Sequence, residues 1–148
     1  MRYAQALQAL IRRDSPFGRN KYVRIEAAVL AEIRELRVRL PHLAGVLVAS
    51  TDGMLIAHDL PGAEPETFAA MASAQLGLAQ QIAATVARGD FEETITRAAH
   101  GYVATFAAGT NALLTVVAST ELNVGRLHHE ARPVAARIGA LVAPAARR

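Results

Sequence analysis

The sequence has no cysteine and no tryptophan, and only one lysine, Lys21. Without cysteine there is no disulfide framework, no thiolate nucleophile and no Cys-bound zinc or iron-sulfur centre, which suits a reducing compartment. A P-loop needs a lysine directly after a glycine-rich turn, and Lys21 follows none, so nucleotide hydrolysis of that type is excluded. The ten glycines never form GxGxxG, and no serine sits in a GxSxG elbow. His128, His129 and Glu130 are consecutive, so on a helix they point about 100° apart and do not converge on a metal. They read as a solvated, partly stacked histidine pair. No apolar run approaches the roughly 20 residues that span a bilayer, and MRYAQALQALIRRD lacks the cleavage site of a secretory signal. These absences predict a cytoplasmic protein with no catalytic, metal or cofactor residues.

What is present is a chain of 148 residues, 52% hydrophobic. The apolar content is mostly Ala, Val, Leu and Ile, which suits one closely packed domain. Charge is unevenly placed. Residues 1–40 carry nine basic and four acidic side chains, residues 41–142 carry five and nine, and Arg147 and Arg148 end the chain. A basic extension therefore precedes an acidic body, and the body is a poor surface for nucleic acid.

Residues 2–13 have helical spacing, with Tyr3, Leu7, Leu10 and Ile11 on one side. SPFGRN reads as a short linker. From about 21 to 39 the residues Tyr22, Ile25, Val29, Ile33, Leu36 and Leu40 mark the buried side of a helix that Pro41 ends. GVLVASTDGMLIAHDL has the form of a hairpin, with Asp52 and Gly53 as the turn and positive φ expected at both. Asp52 is thus read as a turn residue and not as a reactive carboxylate.

Pro65 and Glu66 open a helix expected to reach Arg88 and stop at Gly89. Its core stripe is predicted as Phe68, Met71, Ala72, Leu76, Ala79, Ile82 and Val86. Beside it runs a small, weakly polar stripe of Ala70, Ser73, Gly77, Gln81 and Ala84, which suits close approach of another helix, a symmetry mate included, and equally suits packing on a sheet. Three strands follow: FEETITRA as an exposed edge, then YVATFAA, then ALLTVVAS, apolar on both faces and so central. The last helix follows TELNVG and buries Leu127, Ala131, Val134, Ile138 and Leu141, with Pro133 roughly opposite.

The order of these elements, the Gly45–Pro61 hairpin ending in Leu60-Pro61, and Asn123-Val124-Gly125 before the last helix together resemble the roadblock/LC7 family. The likeness covers about residues 22–142 and is nearest to bacterial, MglB-like members. Glu64 stands where the family usually has a better helix cap, and Pro133 is a second departure. The resemblance implies an α+β, profilin-like fold: a five-stranded antiparallel sheet of order 2-1-5-4-3, one helix on one face and two on the other. The domain is set at 21–142, with a basic helical extension at 1–20 and a basic tail at 143–148.

It further implies a homodimer that pairs the third strand with its mate and packs the second helices together. The interface residues expected by motif position are Ser73, Gly77, Gln81 and Ala84 on the helix, and Phe91, Glu93, Ile95 and Arg97 on the strand. The function implied is a non-catalytic regulator or scaffold that binds a small Ras-like GTPase, modulating its GTP hydrolysis or tethering it. A sensor-kinase-like membrane protein would complete the signalling complex and could bring the chain to a membrane without direct insertion. A competing reading is a small-molecule sensory module, which requires a pocket with converging polar groups. A third assigns the basic extension to nucleic acid or an anionic membrane, against the alternatives that it folds over the acidic body of its own dimer or meets a partner protein.

Overall fold

The structure, a computed structural model, describes residues 16–143. The expected helix at 2–13 and most of the basic tail lie outside those residues. The elements are α1 (Pro16–Arg39), β1 (Leu43–Ser50), β2 (Leu55–Asp59), α2 (Pro65–Thr85), β3 (Glu93–Ala98), β4 (Gly101–Ala108), β5 (Ala112–Ser119) and α3 (Val124–Val142). Helix α1 starts five residues before the expected position, so residues 16–20 of the expected linker are helical. Proline is at home in a first helical turn, where its missing N–H would have had no partner.

The strands form one antiparallel sheet in the order β2-β1-β5-β4-β3, as the resemblance implied. Each β5 neighbour pairs along most of its length, Ser50 to Ala112 and Leu43 to Ala118 on one side, Ala108 to Ala112 and Gly101 to Ser119 on the other. The continuous apolar strands β1 and β5 lie inside the sheet because both of their faces are covered. Helices α1 and α3 cover one face around Val29, Ile33, Leu36, Val46, Leu114, Val116, Leu127 and Ile138. Helix α2 covers the other, over Leu47, Ala49 and Leu113. Each fully buried leucine among these contributes about 1.5–3 kcal/mol.

The β1–β2 turn differs from the expected one. Ser50 N donates to Met54 O at 2.8 Å, which leaves a three-residue loop, Thr51 to Gly53. Only Gly53 takes positive φ, at 96°, as the last position of such loops requires. Asp52 keeps negative φ. Its carboxylate accepts a 2.6 Å bond from the Ser50 hydroxyl, which in turn accepts from Met54 N at 3.0 Å. Burial pushes the Asp52 carboxyl up, but hydrogen bonding, that of Ser50 foremost, and a favourable charge interaction together hold the group below the usual carboxylate value.

Helix α2 stops at Thr85, three residues short of the expected end. Arg88 N bonds Ala83 O at 3.4 Å and Ala87 N bonds Ala84 O at 3.1 Å. That pairing closes a helix when the residue after the cap turns left-handed, and here Ala87 does so at φ 52°. Helix α3 is capped by Asn123, whose side chain accepts from Arg126 N at 3.2 Å. Pro133 is exposed, opposite the buried Leu127, Ala131, Val134 and Ile138. Gly139 lets α3 lie against the end of β4, where an added Cβ would come within 2.7 Å of Gly109 N.

Candidate functional site

Strand β3 closes one margin of the sheet, and among the described residues it pairs only with β4. Its register puts Ile95 opposite Ala104 and Arg97 opposite Tyr102, on the face of α1 and α3, while Thr94 and Thr96 stand on the α2 face opposite Thr105 and Val103. Gln75 Nε2 reaches Thr96 Oγ1 at 2.6 Å, so α2 runs alongside this margin.

Helix α2 keeps Ala72 and Leu76 of the expected core stripe inward, but Ser73 of the small stripe joins them and Met71, Ile82 and Val86 turn outward. Ala69, Ala72, Ser73 and Leu76 face the sheet, and Ser73 Oγ donates to Thr51 O at 2.6 Å. Met71, Leu78, Ile82 and Val86 instead stand outside with exposures of 59%, 61%, 58% and 57%. Successive steps of 100° put those four within one sector of the helix, on the side of Gln75. A helix apolar nearly all round carries little information about which side turns inward. Three of the four inward residues, Ala69, Ala72 and Ser73, are small, which lets the helix lie close on the sheet. A cleft of about 300 Å³ opens between α2 and β3, lined by Phe68, Met71, Ala72, Gln75, Thr96, Val103 and Thr105.

The expected interface residues therefore divide. Gly77, Gln81 and Ala84 are exposed on α2, and Ile95 and Arg97 are exposed on β3. Ser73 is turned into its own domain. Phe91 precedes the strand and is half-buried against the α2-side core. Arg97 lies over the Tyr102 ring at 5.6 Å. Glu93 is engaged within the chain: one carboxylate oxygen accepts from Arg132 Nη2 at 2.7 Å and the other meets His128 Nε2.

His128 is accordingly not stacked on His129. It turns inward, half-buried, with its ring edge-on to Phe106 at 6.0 Å, while His129 is exposed. The Glu93 carboxylate, chiefly by hydrogen bonding, raises the Arg132 guanidinium pKa above its ordinary value. This tie pins the start of β3 to α3. Sequence reasoning missed it, although His128 and Arg132 stand four apart on one helix face. Among the described residues, no three histidine, aspartate or glutamate side chains gather as metal ligands do, and no helix is long and apolar enough to cross a membrane.

Among the described residues the domain is a five-stranded antiparallel sheet with a partly apolar helix along its β3 margin and two helices on the opposite face. The chain belongs to the Roadblock/LC7 domain family, whose model matches residues 29–118. Uncharacterized protein MJ1340 of Methanocaldococcus jannaschii is 33% identical over 100 residues, covering 67% of this chain and 87% of that protein. Among solved structures, the gliding protein MglB of Thermus thermophilus superposes with TM-score 0.72 at 16% identity, covering 80% of this chain and 90% of its own. A Roadblock/LC7 domain from Streptomyces avermitilis gives 0.66 at 22%, covering 72% and 91%. The fold is the same in each.

Proposed function

We propose that this protein is a non-catalytic regulator that dimerises along β3 and α2 and presents the dimer to a small Ras-like GTPase. The observation that carries the reading is the apolar row Met71, Leu78 and Ile82 set beside an open strand that exposes Ile95 at 37%. Isolated exposed aliphatic residues need no explanation, but a row beside an open strand is a surface that gains from being covered. A second copy covers it with least new design. Antiparallel pairing about the middle of β3 brings each Ile95 near its mate and sets two α2 rows face to face, as a two-fold axis requires.

Family membership and the likeness to MglB support the regulatory role, and the GTPase is the partner the resemblance implies. The test is binding of the purified protein to the Ras-like GTPases of its own organism, each loaded with GDP and with a non-hydrolysable GTP analogue. Saturable binding that prefers one nucleotide state supports the reading. Absence of binding to all of them in both states rejects the GTPase as partner and leaves the dimer to be tested separately.

A further inference from the structure

The two faces of the sheet are covered by layers of opposite charge. From residue 20 onward, α1 and α3 carry one lysine and seven arginines against four glutamates. Glu35 and Glu130 pair with Arg39, and Glu32 pairs with Arg137. Arg37 and Arg132 reach past the layer to Asp59 and Glu93. Lys21, Arg24, Arg34 and Arg126 are exposed and take part in no ion pair among the described residues. The other layer is acidic, because residues 60–90, which include α2, carry Glu64, Glu66 and Asp90 against Arg88, all exposed. On α1, steps of 100° put Val23, Arg24, Ala27, Ala31, Arg34 and Val38 within one outward sector about 100° wide. Val23 is 58% exposed and Val38 83%, so this ridge ends in a bare aliphatic side chain on either side of its arginines, about 22 Å apart. Arg126 stands beside the C-terminal end of the ridge, since its Nη2 donates to Arg39 O at 3.3 Å.

We propose that the outer surface of α1 and α3 is a docking face for an anionic lipid bilayer, with Lys21, Arg24, Arg34 and Arg126 against the phosphate headgroups. Charge complementarity is the first argument, since cations without a carboxylate partner are free to meet phosphates. The second is the pair of valines. An exposed aliphatic side chain gains by entering the boundary between headgroups and acyl chains, and Val23 and Val38 flank the arginines along the ridge. The third is polarity across the molecule: a negative surface attracts the α1 and α3 layer and repels the acidic one, which turns the chain one way up and keeps α2 in solution. The face is complete within one chain, so the inference does not depend on the dimer or the GTPase. Pairing of β3 with a second copy would double it. Antiparallel strands of one sheet are related by an axis normal to that sheet, and like faces of the two halves then share a side.

The test sediments the full chain with vesicles of phosphatidylcholine alone and of phosphatidylcholine mixed equally with phosphatidylglycerol. Binding is expected to the mixed vesicles only, and added salt should release it. Arg24→Gln, Arg34→Gln and Arg126→Gln together should weaken that binding by about fivefold per charge, on the order of a hundredfold in all. Arg2→Gln, Arg12→Gln and Arg13→Gln remove the same charge from the residues before α1 and should cost less. An equal or larger loss from this second set assigns the attraction to net charge or to the N-terminal extension and overturns the proposal. So does a chain that ignores both kinds of vesicle, which leaves an acidic protein as the partner of this face. Orientation is read separately, and the absence of native cysteine makes that direct. An environment-sensitive fluorophore at Val38→Cys should shift to the blue on the mixed vesicles, and one at Ala74→Cys, exposed on α2, should not. No shift at Val38→Cys, or one at Ala74→Cys as large, also overturns the proposal.

Discussion

The two margins of the sheet are built from similar lengths of chain and are left in opposite conditions. β2 sits in a recess between α1 and α2, with Glu26 and Glu66 on its walls. β3 stands clear, with aliphatic side chains along the neighbouring helix. An edge strand is a template for another strand unless something prevents it. Depth and charge protect one margin, while the other is held firm and offered. The firmness comes from Glu93, which His128 and Arg132 fasten to α3. What the difference teaches is that the margin proposed for pairing combines anchorage at one end with exposure along its length.

The contrast can be broken most severely at the open margin. Ile82→Asp combined with Ile95→Arg places like charges face to face in the proposed dimer, and each change should cost about 2 kcal/mol of association, some 30-fold in Kd. Sedimentation equilibrium checks this, with Val38→Asp as a control, because Val38 is exposed on α1 away from both margins. A smaller effect is expected from His128→Ala, which removes one of the two partners of the Glu93 carboxylate. Allowing for partial exposure, the loss is about 1 kcal/mol. Amide exchange should quicken along β3 while β2 keeps its protection.

Ala87→Gly sharpens the comparison in the other direction. Ala87 leads toward β3 with φ 52°, a region that costs a side chain about 1 kcal/mol. Glycine should therefore raise thermal stability modestly and leave both margins unchanged. The smallest effect belongs to the β2 hairpin. Since the folded Asp52 carboxyl titrates below its ordinary value of 3.8, its contribution is present above that value and is lost as pH falls through the lower, folded one. Asp52→Asn should flatten that part of the acid-denaturation curve by a few tenths of a kcal/mol, with little change at pH 7. Loss of stability at neutral pH beyond that would show the turn to matter more than this.

The central strands were legible because VLVAS and LLTVVA are apolar on both faces, and only covered strands tolerate that; the sheet order came from the family resemblance. Pro133 falls on the outer side of α3, as its distance from Leu127 and Val134 requires. Helix α2 is harder to read. Met71, Ile82 and Val86 look like core by size, yet Ala69, Ala72 and Ser73 turn inward because close packing on the sheet favours small side chains. Of the four expected helix residues only Ser73 leaves the surface, while Met71, Ile82 and Val86 join it. The Glu93 tie was hidden for a different reason, since its partners lie far along the chain on α3 and become neighbours only once β3 is registered against β4. Ala87 gives no sign either, because glycine is the residue usually found in its conformation and Gly89 stands nearby to suggest it.

The central claim, that β3 and the outer row of α2 are made to be covered by another copy, is tested most directly by the mass of the wild-type chain in solution beside Ile82→Asp/Ile95→Arg at micromolar concentration. The wild type should have twice the 15.7 kDa chain mass, and the variant should fall to the single chain while keeping its circular dichroism spectrum. A wild type that stays at the single-chain mass, or a folded variant that stays dimeric, would contradict it.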